Sequence, residues 1–279
     1  MPIEDNKTNP LGGPKGRPLD IGKIAGQLNT KRLGRRFYYL TEIDSTNRYA
    51  RDLAEGGANE GEVVIAESQS QGRGRLGRTW ISPPYLNLYF SLILRPRLAP
   101  LHAPQITLMA AVALGDSFGS FLPCPAVIKW PNDILVDGKK LAGVLTESSC
   151  TATELEFVIL GIGVNVNFPR ELMPDGIRDR ATSLMEIGAA MVDREAFLGR
   201  LIQDLDRCYG VLEESGFDAL APIWESRFGL RGCRVKVAMT DGVVTGRAQG
   251  IDADGALIVE TGGGKRERII AGDVIPLEE

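Results

Sequence analysis

Three turn signals cut the last 48 residues of the chain into short β-rich pieces. They are Thr240-Asp241-Gly242, Asp252-Ala253-Asp254-Gly255 and the Gly262-Gly263-Gly264 run. Between them lie Arg234–Met239, Val243–Ile251, Ala256–Thr261 and Glu267–Ala271. Asp-Gly pairs supply the positive φ that tight hairpins need. Five or so strands in so short a segment predict a small β barrel, placing a domain boundary near residue 231.

Ahead of that boundary the pattern alternates between strand and helix. Phe37–Ile43 reads as a strand, and Ser45 as the N-cap of a helix over Thr46–Glu55 that stops at Gly56-Gly57. Strands follow at Val63–Glu67 and Leu86–Leu94, then an Ala/Leu-rich helix at Ile106–Phe121. Ala126–Trp130 and Ile134–Val136 read as strands; Asp137-Gly138 turns the chain back into Lys140–Glu147, and Leu155–Val166 completes the set. Asp193 caps an amphipathic helix carrying Phe197, Leu198, Leu201, Ile202, Leu205, Tyr209 and Leu212 on one face, and a second helix spans 217–227. Residues 1–20 read as a polar tail. Residues 21–36 form a short helical segment ending in a solvated basic cluster, Lys31, Arg32, Arg35 and Arg36. The expected division is an N-terminal extension over 1–36, partly disordered, a main domain over 37–231 and the barrel over 232–279.

Composition removes several chemistries. His102 is the only histidine, so mechanisms needing two are excluded; its Pro-flanked setting marks it as a loop residue. Cys124, Cys150, Cys208 and Cys233 lie too far apart in sequence for a C-x-x-C pair or a zinc pattern. The net charge of −4 argues against a molecule built as a polyanion binder. No secretory signal or bilayer-length apolar run is visible, so the expectation is a reduced, cytoplasmic protein with no membrane contact.

Charge is concentrated locally. From Ser68 to Gly115 there is no acid, while Arg73, Arg75, Arg78, Arg95 and Arg97 fall in the same stretch. Three of these sit in Gly72-Arg73-Gly74-Arg75-Leu76-Gly77-Arg78-Thr79-Trp80, where glycines let backbone N–H groups approach a phosphate and guanidinium forks grip it. Glycines 72, 74 and 77 spell G-x-G-x-x-G, but no helix can open cleanly on Trp80-Ile81-Ser82-Pro83-Pro84 and no acid follows at the ribose position, which argues against a dinucleotide fingerprint. An RNA-binding turn is the rival use of such a loop; the absence of any aromatic residue after Phe228 counts against base stacking on the barrel. Lys129-Trp130-Pro131-Asn132-Asp133 places a lysine beside Asn-Asp at a strand end, the composition of a phosphate-plus-cation site or of a plain surface turn. Lys139-Lys140-Leu141-Ala142-Gly143 returns across the hairpin, so its lysines can lie near that bend. Gly161-Ile162-Gly163-Val164-Asn165 puts an asparagine at a strand end behind two glycines.

In this order, Asp44-Ser45-Thr46-Asn47, Gln69, the arginine-glycine loop, Lys129–Asp133, Lys140–Gly143 and Gly161–Asn165 resemble the ordered motifs of biotin protein ligases, over roughly residues 37–279. The resemblance implies an α+β fold: a mixed sheet with packed helices, like the catalytic domain of class II aminoacyl-tRNA synthetases, followed by an SH3-like β barrel. It implies activation of biotin by ATP with Mg²⁺, giving biotinyl-5'-AMP and pyrophosphate. Transfer to a lysine of a biotin carboxyl carrier protein, or of such a domain in a biotin-dependent carboxylase, follows. A β-edge homodimer is common in such a family. The 36 residues before the first strand are too few for a winged helix, so the ligase-only class, without DNA binding, is expected. By the same resemblance Ser45, Thr46, Asn47 and Gln69 surround the biotin ring, with Gly72, Gly74 and Gly143 beside it. Arg73 and Arg75 close over biotin and the adenylate, Lys140 meets the biotin carboxyl and α-phosphate, and Lys129 serves the phosphoryl group. Arg78 and Asn132 fall to ATP, Trp80 and Asn165 to its adenine, and Asp133 either to Lys129 or to a metal-bound water. The neighbouring alternative is a lipoate-protein ligase or octanoyl transferase, but no cysteine here adjoins a matched motif.

Overall fold

The computed structural model describes residues 16–277. The first elements are α1 (Ile21–Gln27), β1 (Arg36–Ile43), α2 (Thr46–Glu55), β2 (Glu62–Gln69), β3 (Leu88–Leu94) and α3 (Pro104–Phe118). Next come β4 (Val127–Lys129), β5 (Asp133–Val136), β6 (Lys139–Cys150) and β7 (Leu155–Val164). Short helices α4 (Asp175–Arg178) and α5 (Leu184–Gly188) lead to the long α6 (Arg194–Ser215) and to α7 (Ala221–Ser226). The C-terminal strands are β8 (Arg234–Met239), β9 (Gly242–Ile251), β10 (Leu257–Glu260), β11 (Arg266–Ile269) and β12 (Asp273–Pro276).

β1 to β7 form one mixed sheet in the order β1-β2-β3-β7-β6-β5-β4, in which only β1 and β2 run parallel. Parallel strands need a crossover, and α2 supplies it; its Ala50 and Ala54 pack with Val64, Ile93, Phe157 and Ile159 on one face of the sheet. The other face is covered by α3 and α6, inside a cluster that includes Leu92, Leu160, Leu108, Leu114, Phe197 and Leu205. With both faces covered, β3 is buried at all seven positions. Asp193 caps α6 by accepting the N–H of Ala196 at 3.0 Å. β8 to β12 form a separate antiparallel sheet in the order β11-β10-β9-β8-β12, in keeping with an SH3-like domain.

Three expectations change. The polar tail expected over 1–20 lies outside the described residues up to residue 15, and from there on the chain is packed. Leu19, Ile24 and Leu33 are buried, and the Asp206 carboxylate of α6 accepts the N–H groups of Lys31, Arg32 and Leu33. Arg32 of the basic cluster is not simply solvated: it pairs with Glu213 at 3.3 Å and sits over the Tyr209 ring. The helix expected over 217–227 is a 3-10 turn, Phe217–Ala219, followed by α7, because Pro222 falls where a continuous helix would need its N–H. The five or so strands expected in the C-terminal segment are five, the last of them, β12, pairing with β8. No helix among the described residues is long and apolar enough to cross a membrane.

Candidate functional site

The site begins where β1 runs into α2. Ser45 stands at the N-cap in extended conformation, and Ser45, Thr46 and Asn47 are all buried, unusual company for the polar start of a helix. Each side chain needs partners. Thr46 donates its backbone N–H to Gln69 Oε1 at 2.9 Å and its hydroxyl to the same oxygen at 3.2 Å. Gln69 donates from Nε2 to Ser82 Oγ at 3.1 Å. The Ser91 hydroxyl of β3 lies 2.9 Å from Thr46 Oγ1 and 2.7 Å from Asn47 Oδ1. Asn47 Nδ2 donates to Leu145 O at 3.2 Å and to Glu147 Oε2 at 2.8 Å. Its amide rests on Gly161, where any Cβ would stand 2.0 Å from Asn47 Oδ1.

The arginine-glycine segment is a small hairpin. Gly74 N–H donates to Arg78 O, Trp80 N–H donates to Gly72 O, and Arg73 bridges Thr79. Its tip turns through Leu76 and Gly77, both at positive φ, and Leu76 is exposed. Each arginine has a different anchor. Arg73 Nη1 lies 2.9 Å from Glu147 Oε1. Arg75 donates to Asn132 Oδ1 at 3.1 Å and to Gly272 O at 3.2 Å. Arg78 pairs with Asp273 of β12. Two of these contacts reach the C-terminal sheet. Burial pulls the Arg75 guanidinium below its ordinary pKa, against the nearby carboxylates of Asp133 and Asp273. Burial works to raise the pKa of Asp273, but Arg78, Lys129 and Arg75 outweigh it and hold the carboxyl below the usual carboxylate range.

Trp80 ends the hairpin with its indole flat on two cross-strand glycines, Gly143 of β6 and Gly163 of β7. Its buried Nε1 makes no hydrogen bond to a described residue. Lys140 lies 5.3 Å from the indole ring, and its Nζ is 2.6 Å from Asp133 Oδ1. The hairpin thus brings Lys140 to the Asn132-Asp133 bend. Asn132 is locked there, donating from Nδ2 to Val144 O at 2.9 Å.

One cavity of about 50 Å³ is lined by Ser45, Thr46, Asn47, Gln69, Arg73, Gly74, Arg75, Trp80, Asn132, Lys140 and Gly143, with Leu145, Gly161 and Gly163 among the rest. The structure therefore gathers most of the expected residues on one wall. Gly72 lies just behind it, where a Cβ would strike Trp80 O and Ser82 Oγ. Lys129 pairs in register with Asp133 but does not line the cavity, and Arg78 faces the C-terminal sheet. Asn165 is buried with its amide donating to Thr182 O at 3.0 Å, tying the segment before α5 to the end of β7. His102 stands away, 3.6 Å from Asp254. Among the described residues no three His, Cys, Asp or Glu side chains cluster as metal ligands.

Glu147, Ser91 and Asp273 were not anticipated. Glu147 was within reach of the sequence: in a strand, residues two apart share a face, so Gly143, Leu145 and Glu147 of β6 all point to the side that α2 covers. Asp273 carried no signal, because its partner lies 195 residues away.

Residues 39–165 match the biotin/lipoate A/B protein ligase family, and residues 232–275 match the biotin protein ligase C-terminal domain. The biotin–[acetyl-CoA-carboxylase] ligase of Mycobacterium tuberculosis is 35% identical over 268 residues, covering 93% of this chain and 96% of that protein. The bifunctional ligase/repressor BirA of Bacillus spizizenii is 36% identical over 87% of this chain and 75% of its own length. The structure of the Aquifex aeolicus biotin protein ligase in complex with biotin and ATP superposes with a TM-score of 0.75 at 31% identity, covering 88% of this chain and all of that one.

Proposed function

The chain belongs to the biotin protein ligase family, and on that premise we propose how the cavity under the arginine-glycine hairpin serves the reaction. The enzyme activates biotin with ATP and transfers it to a carrier protein. In the first step the biotin carboxylate attacks the α-phosphorus, forming biotinyl-5'-AMP and expelling pyrophosphate. In the second a lysine ε-amine of a biotin carboxyl carrier domain attacks the acyl carbon, the amide forms, and AMP leaves as the amine sheds its proton.

The first step presses a carboxylate against a polyanion, so cations fixed in place before the reaction are worth most. Lys140 is such a cation: Asp133 holds its Nζ at 2.6 Å on the cavity wall. That contact is the observation that carries the assignment of Lys140 to the biotin carboxyl and α-phosphate. Ser45, Thr46, Asn47 and Gln69 supply the donors and acceptors a ureido ring needs. Arg73 and Arg75 cover the adenylate, with Arg78, Asn132 and Lys129 serving the phosphates. Trp80 packs on adenine, and Asn165 fixes the neighbouring backbone. Mg²⁺ usually binds through one or two carboxylates plus substrate phosphates. Asp133 and Asp273, both near the hairpin arginines, would hold the ion, which would supply charge neutralisation on the nucleotide.

Trp80 lines the cavity packed against two glycines, its indole N–H without a hydrogen bond to a described residue. A homodimer belongs to the same reading, and sedimentation tests it. The decisive experiment is pyrophosphate release by the purified chain with biotin, ATP and Mg²⁺. Lipoate should not substitute, and equal turnover with lipoate or octanoate would favour the neighbouring ligase or transferase chemistry. A cysteine-based transfer finds no support: none of the four cysteines is among the residues lining the cavity, and Cys208 is buried in α6 with its thiol pushed up to about 11 by desolvation.

A further inference from the structure

Glu147 touches both parts of the pocket that must act together. On one side its Oε2 accepts the Asn47 amide at 2.8 Å, fixing which way that amide points. On the other its Oε1 lies 2.9 Å from Arg73 Nη1 in the hairpin. Asn47 and Arg73 both line the cavity, whereas Glu147 does not. The carboxylate is less than one-fifth exposed, whereas the Arg73 side chain is 45% exposed, so the pair sits at the cavity's edge. Arg73 spends only Nη1 on Glu147, with Oε2 at 3.2 Å from the same atom; its other guanidinium N–H groups make no hydrogen bond to a described residue and stay free for an anion.

Resting on the biotin ligase reading above, we propose that Glu147 is a positioning residue that couples the biotin-ring wall to the arginine-glycine hairpin. With Ser91 on its oxygen and Glu147 on its nitrogen, the Asn47 amide can present only one orientation to a ring laid against it. With Glu147 on one edge, the Arg73 guanidinium stands at the cavity before any adenylate forms. The same carboxylate does both, so losing its charge loosens the hairpin at Arg73, while losing its oxygens also leaves Asn47 Nδ2 with Leu145 O as its one acceptor.

Two variants separate these duties. Glu147→Gln keeps an acceptor for Asn47 and removes the charge from Arg73. Biotin KM should change less than about threefold, while release of pre-formed biotinyl-AMP speeds by about 3- to 10-fold, as for loss of a partly exposed pair that acts through Arg73. Glu147→Ala should show the same faster release and, in addition, a biotin KM raised about 10-fold. In a cycle with Arg73→Gln, the double variant with Glu147→Gln should release adenylate no faster than Arg73→Gln alone, because Glu147 acts on the adenylate only through Arg73. Thermal melts of all variants show whether each is folded. Additive effects in the cycle, or wild-type release by Glu147→Gln, would overturn the proposal, as would unchanged biotin KM in folded Glu147→Ala. Failure of the wild-type protein itself to form biotinyl-AMP would instead sink the biotin ligase reading.

Discussion

Trp80 lies so close to Gly163 that a Cβ on the glycine would stand 2.5 Å from the indole Cε2. The same ring blocks a Cβ at Gly143, at 3.0 Å. Two glycines facing each other across β6 and β7 thus make a seat that the indole occupies.

Gly163→Ala tests the seat. The added methyl meets the ring rather than a flexible chain end, so Trp80 must shift. Overpacking of this kind costs about 1–3 kcal/mol. A lower melting temperature and altered tryptophan emission are expected, together with weaker binding of biotin and ATP by calorimetry.

Lys140→Ala removes the cation that Asp133 holds on the cavity wall. Losing a charge-assisted contact made mainly in the transition state should cost about 2–4 kcal/mol, roughly 30- to 1,000-fold in the rate of adenylate formation. Single-turnover pyrophosphate release measures this, and an unchanged rate would assign the charge to Lys129 instead.

Arg75→Gly removes the hydrogen bonds to Asn132 and Gly272 that tie the hairpin to β5 and the C-terminal sheet. The freed hairpin should release biotinyl-AMP about 10- to 150-fold faster, for a loss of about 1.5–3 kcal/mol. Labelling of added albumin, absent with the wild type, reports the escaping adenylate.

Asp273 ties the C-terminal sheet to Arg78, and its folded pKa lies below the ordinary carboxylate value. A depressed pKa contributes stability above the unfolded value, about 3.9, and loses it as pH falls through the folded one. Melting temperature should therefore drop more steeply below about pH 4 in the wild type than in Asp273→Asn. Parallel curves would show that the contact adds no stability.

Glu67 is buried with Arg194 at 2.8 Å, and it accepts both the Leu19 N–H at 2.7 Å and the Tyr39 hydroxyl at 2.9 Å. Glu67→Ala leaves the Arg194 charge buried without its partner, a change worth about 3–5 kcal/mol. It also unties the segment before α1, so limited proteolysis should cut near residue 20 in the variant and spare the wild type.

Periodicity and turn chemistry are local, and what depends on them was legible in the sequence. Thr46–Glu55 is the helix expected from its cap and its Gly-Gly stop, and Arg234–Met239 is the strand expected between its turns. The cavity wall was largely legible too, because Ser45-Thr46-Asn47, the arginine-glycine loop and Lys140 carry their chemistry in contiguous motifs. The tertiary structure alone decided who partners whom. Arg78 could not be assigned to Asp273, nor Leu19 to Glu67, from residue types separated by most of the chain. Residues 1–20 read as a polar tail and 21–36 as a short helical segment with a solvated basic end, yet Glu67, Asp206 and Arg194 meet the backbone of Leu19, Leu33 and Arg17, and Leu19, Ile24 and Leu33 join the core. A buried polar group is stable only where a partner meets it, and meeting is a property of the folded chain, set by which strands lie side by side rather than by any window of sequence.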